Sequence, residues 1–156
     1  MAKQLNFGSD KTRVGIISYS DYATLAARFD VVKNEENLQR LLDGIRRLQR
    51  GRRIDRGLIR AAQLFGESRP NVRQVLVLLT SGRHTSNVEN PFRDAVQRLK
   101  TKGVDRFVVA IGPNPDPELT AVVERREDVI SVFSFDSLQP QVIPIARHIK
   151  GWLYHS

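Results

Sequence analysis

The chain has 156 residues, 40% of them hydrophobic and 27% charged, a composition that suits one compact soluble domain and excludes wholesale disorder. It contains no cysteine, which excludes disulfides, thiol catalysis and thiolate metal sites. Its apolar runs are too short to span a bilayer, residues 1–7 lack a signal-peptide pattern, and the net charge of +8 indicates only a general attraction to polyanions.

The first half of the chain predicts two strands and two helices. Residues 13–19 form a β-branched run typical of a strand buried on both faces of a parallel sheet. Residues 23–29 follow too closely for a parallel crossover, so we expect an antiparallel edge strand there. Apolar residues at helical spacing then indicate an amphipathic helix with Asn34 as its N-cap and Gly51 at its end. A second helix is predicted over residues 55–65.

Three further strands are predicted in the second half of the chain. The run over residues 72–80 is the most apolar of all, which favours a central position in the sheet. Strands over residues 106–111 and 129–133 follow it at regular spacing.

Helices are predicted after each of these strands. An Asn-Pro pair at 90–91 marks the start of one helix, which ends at Gly103. An Asp-Pro pair at 116–117 starts another that continues to about residue 126, and a last helix extends to about residue 153. Strands that alternate with helices in this way predict an α/β fold, a doubly wound and mainly parallel sheet flanked by helices. Its binding crevice is expected beyond the carboxyl ends of the strands.

Five short segments, in chain order, carry a resemblance to a known family. They are residues 11–21 (KTRVGIISYSD), 51–58 (GRRIDRGL), 75–82 (VLVLLTSG), 107–112 (FVVAIG) and 133–138 (FSFDSL). Together they resemble the von Willebrand factor type A (vWA) domains of collagens, matrilins and related matrix proteins. The resemblance covers about residues 2–153 and implies a single vWA domain over residues 1–156, Rossmann-like and truncated at the N-terminus, because the family's first strand and the start of its first helix are absent.

The resemblance also implies where a divalent cation would bind, at the metal-ion-dependent adhesion site of the family. That site takes an Asp-x-Ser-x-Ser from a first loop, a Thr from a second and an Asp from a third. In this chain Arg52 stands at the Thr position and Ser81 at the Asp position. Ser18 and Ser20 have the spacing of the missing serines, but we interpret them as a strand end that enters a turn. The site is therefore degenerate, and we expect no cofactor, neither Mg²⁺ nor another divalent cation.

Candidate ligand-binding residues lie on the loops at the predicted crevice. They are Arg52, Asp55, Ser81, Arg83 and His84. A guanidinium at Arg52 would repel a cation and can hold a carboxylate through two N–H groups. Asp55 is the carboxylate nearest to the vacant position. An acid at a helix N-terminus also has a simpler role, because it interacts favourably with the positive end of the helix dipole.

Arginines are concentrated around one helix end, a turn and the next helix start. Between residues 40 and 60 there are eight arginines and two acids. The members of this basic patch, beside Arg52, are Arg46, Arg47, Arg50, Arg53, Arg56 and Arg60. They form either a solvated face or a surface for a polyanion such as a heparin-like glycan or an acidic protein segment. No aromatic residues interleave with the arginines, so nucleic acid binding is not supported.

Catalytic residues are not apparent in the sequence. There is no G-x-S-x-G elbow and no Gly-rich phosphate loop. His84, His148 and His155 share no metal-ligand spacing, and we expect each to lie on the surface.

The sequence therefore predicts a non-enzymatic, metal-independent protein-binding module of extracellular-matrix type. By the family resemblance we expect it to be secreted, or cytoplasmic if Met1 is the true start. A polyanion-binding module and a truncated structural fragment without independent activity are the alternatives. Without the family's first strand, two apolar strands lose a neighbour, so the isolated chain is expected to be unstable or to self-associate. Upstream sequence or a partner would supply that strand, or the two strands would pair directly.

Overall fold

The computed structural model describes residues 13–20, 22–43, 53–66, 71–81, 83–84 and 92–134, and further residues at 136–137, 140, 144 and 147–148. The chain is organised as two compact units, each built from discontinuous sequence. The helical unit combines the chain before residue 75 with residues 84–103, and the sheet unit combines residues 75–83 with the chain from residue 104 onwards. The single domain expected over residues 1–156 stays a prediction.

The helical unit contains two strands, β1 (Ile16–Tyr19) and β2 (Ala23–Ala27), which pair antiparallel with an irregularity between Ile16 and Ile17. The predicted antiparallel edge strand is thus confirmed. The prediction that the first strand is buried in a parallel sheet is wrong for the described strands, because β1 pairs with β2 alone and only Ile16 is buried. A β-branched run favours extended backbone, but it does not determine which strand becomes the partner.

Three helices complete the helical unit: α1 (Glu35–Asp43), α2 (Ile54–Phe65) and α3 (Arg93–Thr101). The N-cap prediction for α1 is confirmed, since Oδ1 of Asn34 accepts a hydrogen bond of 2.7 Å from the backbone N–H of Asn37. The predicted end of this helix at Gly51 lies outside the described residues. At the end of α3, Gly103 adopts φ 71°, a conformation that favours glycine and confirms the predicted stop.

Helix α2 packs against α3 and against both strands of its unit. Their shared core contains, among its most buried side chains, Ile54, Leu58, Ala61, Ala62, Phe92, Ala95 and Leu99. Gly57 faces the ring of Tyr19, and a Cβ at this position would lie 3.2 Å from the ring. The absence of a side chain at Gly57 therefore allows α2 to approach β1 closely.

The sheet unit is a three-stranded parallel sheet of β3 (Val75–Ser81), β4 (Asp105–Ile111) and β5 (Val129–Val132), in the order β3-β4-β5. Among the described strands β4 is central and almost wholly buried, whereas β3 lies at an edge with Leu79 47% exposed. The predicted central position of the most apolar strand is therefore wrong for this described sheet. Hydrophobicity reports how much of a strand's faces is covered, not how many strands pair with it.

The segment between β4 and β5 forms two short 3-10 helices, Pro117–Ala121 and Arg126–Asp128, where an α-helix was predicted. The predicted cap is nevertheless correct, because Oδ1 of Asp116 accepts a hydrogen bond of 2.9 Å from the N–H of Glu118. Buried Leu119 and Val122 are three residues apart, a spacing that places both on one side of a 3-10 turn.

The last predicted helix lies largely outside the described residues. Within the described part of the chain, no helix is long and apolar enough to cross a membrane.

Candidate functional site

The start of α2 is stabilised by a histidine from a distant part of the chain. Arg53 precedes the helix and makes no side-chain capping bond, whereas the N–H of Ile54 donates to Nδ1 of His84 over 3.2 Å, although the two residues are 30 positions apart. The His84 side chain is only 2% exposed, and its ring packs edge-on against Phe92 with centroids 4.9 Å apart. The surface position expected for His84 is therefore wrong, because its ring nitrogen replaces the missing cap of a helix.

Arg53 and Asp55 form a two-pronged ion pair beside this histidine. Nε of Arg53 lies 2.9 Å from Oδ1 of Asp55, and Nη2 lies 2.7 Å from Oδ2. Nε2 of His84 lies 3.7 Å from Oδ1 of the same carboxylate. The pair has the planar fork geometry that makes arginine–carboxylate contacts strong.

Opposing effects act on the pKa of the Asp55 carboxyl. Burial raises it, but the hydrogen bonds and charge of Arg53 and the backbone N–H of Arg56 together hold the pKa below the ordinary value of 3.8. Asp55 is therefore ionised at neutral pH, and its charge is balanced by Arg53.

Backbone hydrogen bonds join this helix start to the turn between β1 and β2. The N–H of Arg53 donates to the carbonyl of Ser20 over 2.7 Å, and the N–H of Ser20 donates to the carbonyl of Tyr22 over 2.8 Å. Ser20 is buried in this turn, directly after the end of β1 at Tyr19.

Tyr22 is a surface residue that the sequence analysis did not single out. Its side chain is 72% exposed, and the guanidinium of Arg56 lies 5.3 Å from the centre of its ring, within the range of a cation–π contact. The available indication of an exposed turn position was an aromatic residue at the end of a three-residue gap between two predicted strands, directly before the second.

The basic patch is described only in part. Arg46, Arg47, Arg50 and Arg52 lie outside the described residues. Arg53 pairs with Asp55, Arg56 lies over Tyr22, and Nη1 of Arg60 donates to Oε1 of Gln63 over 3.0 Å. The structure thus brings Arg53, Asp55 and His84 together, with two further arginines of the patch on the same helix.

The other candidate residues belong to the sheet unit. Ser81 ends β3 in register with Ile111 of β4, which in turn is in register with Val132 of β5. Beyond these strand ends Gly112 adopts φ 121°, and its N–H donates to the carbonyl of Val132 over 2.8 Å. Ser81 is half-buried at this carboxyl edge, and Arg83 is exposed.

A second polar cluster in the sheet unit was not expected from the sequence. The buried carboxylate of Asp128 accepts hydrogen bonds from Arg125 at 3.0 and 3.2 Å and lies 2.8 Å from Nε2 of His148. The hydrogen bond with Asp128 raises the pKa of Arg125. His148 is partly buried with its ring edge-on to Phe107, so it too departs from the expected surface position; His155 lies outside the described residues.

The donor set of this chain does not fit the divalent cation that the family resemblance implies. A hydroxyl at Ser81 replaces the carboxylate of the third loop, and a cationic side chain at Arg52 replaces the Thr of the second. The carboxylate of Asp55 is held by Arg53. No group of three or more His, Asp or Glu residues in the described ranges is arranged to hold a metal ion. Hard cations need several oxygen ligands with carboxylate charge among them, which these positions do not supply.

Comparison with curated proteins finds distant relatives among matrix proteins. The chain is 28% identical over 145 residues to the mouse collagen alpha-6(VI) chain, a match that covers 90% of this chain and 6% of that protein. It is 28% identical over 147 residues to mouse vitrin, covering 88% of this chain and 21% of vitrin. The chain thus spans only a small part of these relatives.

Comparison with solved structures shows the fold. Proximal thread matrix protein 1 from the mussel byssus superposes with a TM-score of 0.80 at 22% identity, over 92% of this chain and 37% of that one. One structure of that protein has a zinc-occupied metal-ion-dependent adhesion site. The von Willebrand factor type A protein from Catenulispora acidiphila superposes with a TM-score of 0.63 at 15% identity, over 85% of this chain and 30% of that one. The predicted α/β fold, a parallel sheet with flanking helices, is confirmed.

The sequence also matches a protein-family model over most of its length. That family is the von Willebrand factor type A domain, and the match covers residues 1–143. The chain belongs to the von Willebrand factor type A domain family.

Proposed function

We propose that this chain is a non-enzymatic, metal-independent protein-binding module of extracellular-matrix type, acting as a single secreted domain. The observation that carries the proposal is the ion pair between Arg53 and Asp55 at the start of α2, where a guanidinium holds the carboxylate. Similarity to collagen VI chains and to vitrin supports the matrix setting. The chain spans only a small part of those relatives. A matrix activity like that of the whole relatives is therefore itself proposed for this chain.

In this proposal the crevice loops bind a protein ligand through charged hydrogen bonds rather than through a cation. Arg52 and Arg83 supply guanidinium donors for acidic groups of the ligand, and Ser81 supplies a hydroxyl. Asp55 keeps Arg53 in a defined orientation, and buried His84 acts as a positioning residue that maintains the start of α2.

Binding to purified collagen VI and vitrin on a biosensor tests the proposal. We expect at least one of them to bind, with an affinity that EDTA changes by less than about twofold. Replacing Arg53 by Ala, which removes the partner of Asp55, should weaken binding about tenfold, whereas the exposed Arg98→Ala control should not. Arg53→Lys keeps the charge but loses the fork, and it distinguishes orientation from charge. Loss of binding in EDTA, or tight Mg²⁺ or Mn²⁺ binding by calorimetry, would contradict metal independence.

A polyanion-binding module is the second candidate, and the distribution of charge favours it. The entire excess of basic over acidic residues belongs to the helical unit, which also contains the basic patch. We expect retention on heparin that collapses with added salt, because screening weakens contacts between exposed charges. Arg50→Glu, Arg52→Glu and Arg53→Glu should each lower the salt concentration of elution. Unchanged retention in all three variants would exclude this candidate.

A further inference from the structure

Strand β5 forms an edge of the sheet unit that another strand can reach. Among the described strands it pairs with β4 alone, in parallel register from Val129 to Val132. The backbone N–H and C=O groups on its other side therefore have no strand partner within the described ranges. Proteins often protect such an edge with charged side chains, proline or a bulge, but β5 (VISV) is uncharged and its register with β4 is continuous.

The side chains at this edge leave apolar surface uncovered. Phe133, directly after the strand, is 75% exposed, and Val129 and Ile130 are only partly buried. Ile130 packs against the buried apolar cluster that β4 and β5 share on one face of the sheet. Uncovered apolar side chains beside an open backbone edge are typical of an interaction surface.

The order of residues in β5 suits antiparallel pairing with the same strand of a second copy. Opposite side chains in an antiparallel pair share a face, so a two-fold axis between the copies must pass through a residue rather than between two residues. An axis at Ser131 brings Phe133 of one copy beside Val129 of the other, and Ile130 beside Val132. Both are apolar pairs, one on each face of the sheet. An axis one residue earlier would leave the exposed phenylalanine beyond the end of the pair.

Charged side chains at the two ends of β5 favour the antiparallel orientation. Arg126 precedes the strand and Asp136 follows it; both are exposed, and neither has an ion pair among the described residues. Antiparallel pairing brings each Arg126 towards Asp136 of the other copy, whereas parallel pairing would place like charges together. The neighbouring charges are engaged within the chain, since Arg125 binds Asp128 and lies 3.9 Å from Glu127. Exposed ion pairs add little affinity, but they select an orientation.

We propose that two copies of this chain associate through β5, which joins their parallel sheets into one continuous sheet with an antiparallel pair on a two-fold axis at Ser131. A second copy is favoured over an unrelated strand because a single alignment gives apolar pairs on both faces and opposite charges at both ends. Strand β5 is not one of the two strands for which the sequence predicts a lost neighbour. The association is also independent of the proposed protein-binding function.

A single introduced cysteine tests the alignment, because the chain contains no cysteine of its own. Opposite Cα atoms in an antiparallel pair are about 4.5–5.5 Å apart, a separation that a disulfide can span. In a glutathione redox buffer, Ser131→Cys should form a covalent dimer on non-reducing gel electrophoresis. Thr24→Cys, at an exposed position of β2, is the matched control and should remain largely monomeric. Equal cross-linking of the two variants, or none for Ser131→Cys, overturns the proposal.

Sedimentation velocity measures the association of the chain without cysteine. We expect a shift from monomer to dimer as the concentration rises from about 1 to about 100 μM. Phe133→Ser should weaken the dimer about tenfold or more, because it removes the apolar pair with Val129. Tyr22→Ser removes another exposed aromatic ring, 72% exposed, and should dimerise within about twofold of the parent chain. Unchanged melting temperatures show that the variants are folded. A parent chain that stays monomeric, or an unaffected Phe133→Ser dimer, overturns the proposal.

Reversal of the end charges tests the orientation. Arg126→Glu and Asp136→Arg should each weaken the dimer about threefold, because a two-fold axis repeats each contact. The double variant should recover to within about twofold of the parent chain, and added NaCl should reduce these differences. Weakening without recovery in the double variant contradicts the antiparallel alignment. Association through the other strands would leave all of these variants dimeric and would not cross-link Ser131→Cys.

Discussion

Asp55 lies in a region of positive potential produced by several independent sources. The guanidinium of Arg53 contacts both carboxylate oxygens, and Nε2 of His84 lies within 3.7 Å. The N-terminus of α2 adds the positive end of its helix dipole. A carboxylate in such surroundings needs no bound cation to remain ionised in a partly buried position.

The pH dependence of stability should report this arrangement. The folded pKa of Asp55 lies below its unfolded value, so its contribution to stability is complete above about pH 4 and is lost as the pH falls through the folded pKa. We expect Asp55→Asn to flatten the decline in the free energy of unfolding below pH 4, as measured by urea titration at a series of pH values. The exposed Asp94→Asn variant is the control. Identical acid profiles for Asp55→Asn and the parent chain would contradict the prediction.

Thr80 is a buried polar residue of the sheet unit. Its side chain lies in β3 and the residue is 4% exposed, and its Oγ1 has no hydrogen-bond partner within the described part of the chain. Burial of an unsatisfied hydroxyl costs about 1–3 kcal/mol, and valine has nearly the same shape. We therefore expect Thr80→Val to raise the free energy of unfolding by about 1 kcal/mol in urea denaturation.

Thr120 supplies the matched control for that experiment. Its hydroxyl donates a hydrogen bond of 3.1 Å to the carbonyl of Pro117. Thr120→Val should therefore be neutral or destabilising by about 0.5 kcal/mol. A decrease in stability for Thr80→Val would show that its hydroxyl does have a partner.

At the scale of elements, Arg106 connects the central strand β4 to the segment before β5. Its guanidinium is buried and donates to the carbonyls of Val104 and Val122 over 3.0 and 2.8 Å, and to Glu124 over 3.0 Å. Each bond falls in a different direction of the planar fork, which a lysine cannot reproduce. The 3-10 segment is therefore held to the sheet by the hydrogen bonds of Arg106 as well as by its buried apolar side chains.

Replacement of Arg106 should destabilise the protein more than replacement of an exposed arginine. Arg106→Met leaves two buried carbonyls without their donor, and we expect a loss of about 2–4 kcal/mol in the free energy of unfolding. Arg98→Met, on the exposed face of α3, should change it by less than about 0.5 kcal/mol. Equal stability of the two variants would show that water replaces the bonds of Arg106.

Three element starts and stops were predicted well because the determining contact is local, whereas the pair at 90–91 lies outside the described residues and α3 begins at Arg93. Asn34 and Asp116 cap their segments through bonds to a backbone N–H two or three residues away, and Gly103 ends a helix through its own backbone conformation. The kind of helix after Asp116 was not predicted, because an N-cap has the same residue preference whether a 3-10 or an α-helix follows. That distinction depends on how Leu119 and Val122 are buried.

At the scale of the whole molecule, the two compact units consist of interleaved segments. The chain passes from one unit to the other after residues 74, 83 and 103. Neither unit is therefore a continuous sequence that could be excised intact. The single domain over residues 1–156 stays a prediction.

Native-state hydrogen exchange tests whether the units unfold together. Leu58→Ala removes a buried side chain from the helical unit and should lower the protection of amides in both α2 and β4 by about 2–4 kcal/mol. Mass spectrometry of the corresponding peptides at rising urea concentrations gives both values, with Arg98→Ala as the control. Loss of protection confined to α2 would show that the units are separate domains.

Repeating the exchange at two protein concentrations tests the predicted self-association. Protection that rises with concentration would support it, and equal protection would contradict it.

Properties that depend on neighbouring residues, or on the order of segments, were predictable from the amino-acid sequence. These are the family, the α/β succession of strands and helices, and the caps at Asn34 and Asp116. The replacement of cation ligands at Arg52 and Ser81 stays a prediction from the family resemblance. Hydrophobic periodicity and capping depend on residues a few positions apart, so they can be read from the sequence. A side chain that differs from the family's cation ligand is likewise visible once the motif is aligned.

Contacts between groups that are far apart in the chain became evident only in the three-dimensional fold. His84 is buried because the start of α2, 30 residues earlier in the chain, requires an acceptor for the N–H of Ile54. Arg53 pairs with Asp55, Tyr22 remains exposed beside Arg56, and β4 rather than β3 is the centre of the described sheet. Each of these outcomes depends on the path of the backbone through space, which side-chain spacing along the sequence does not specify.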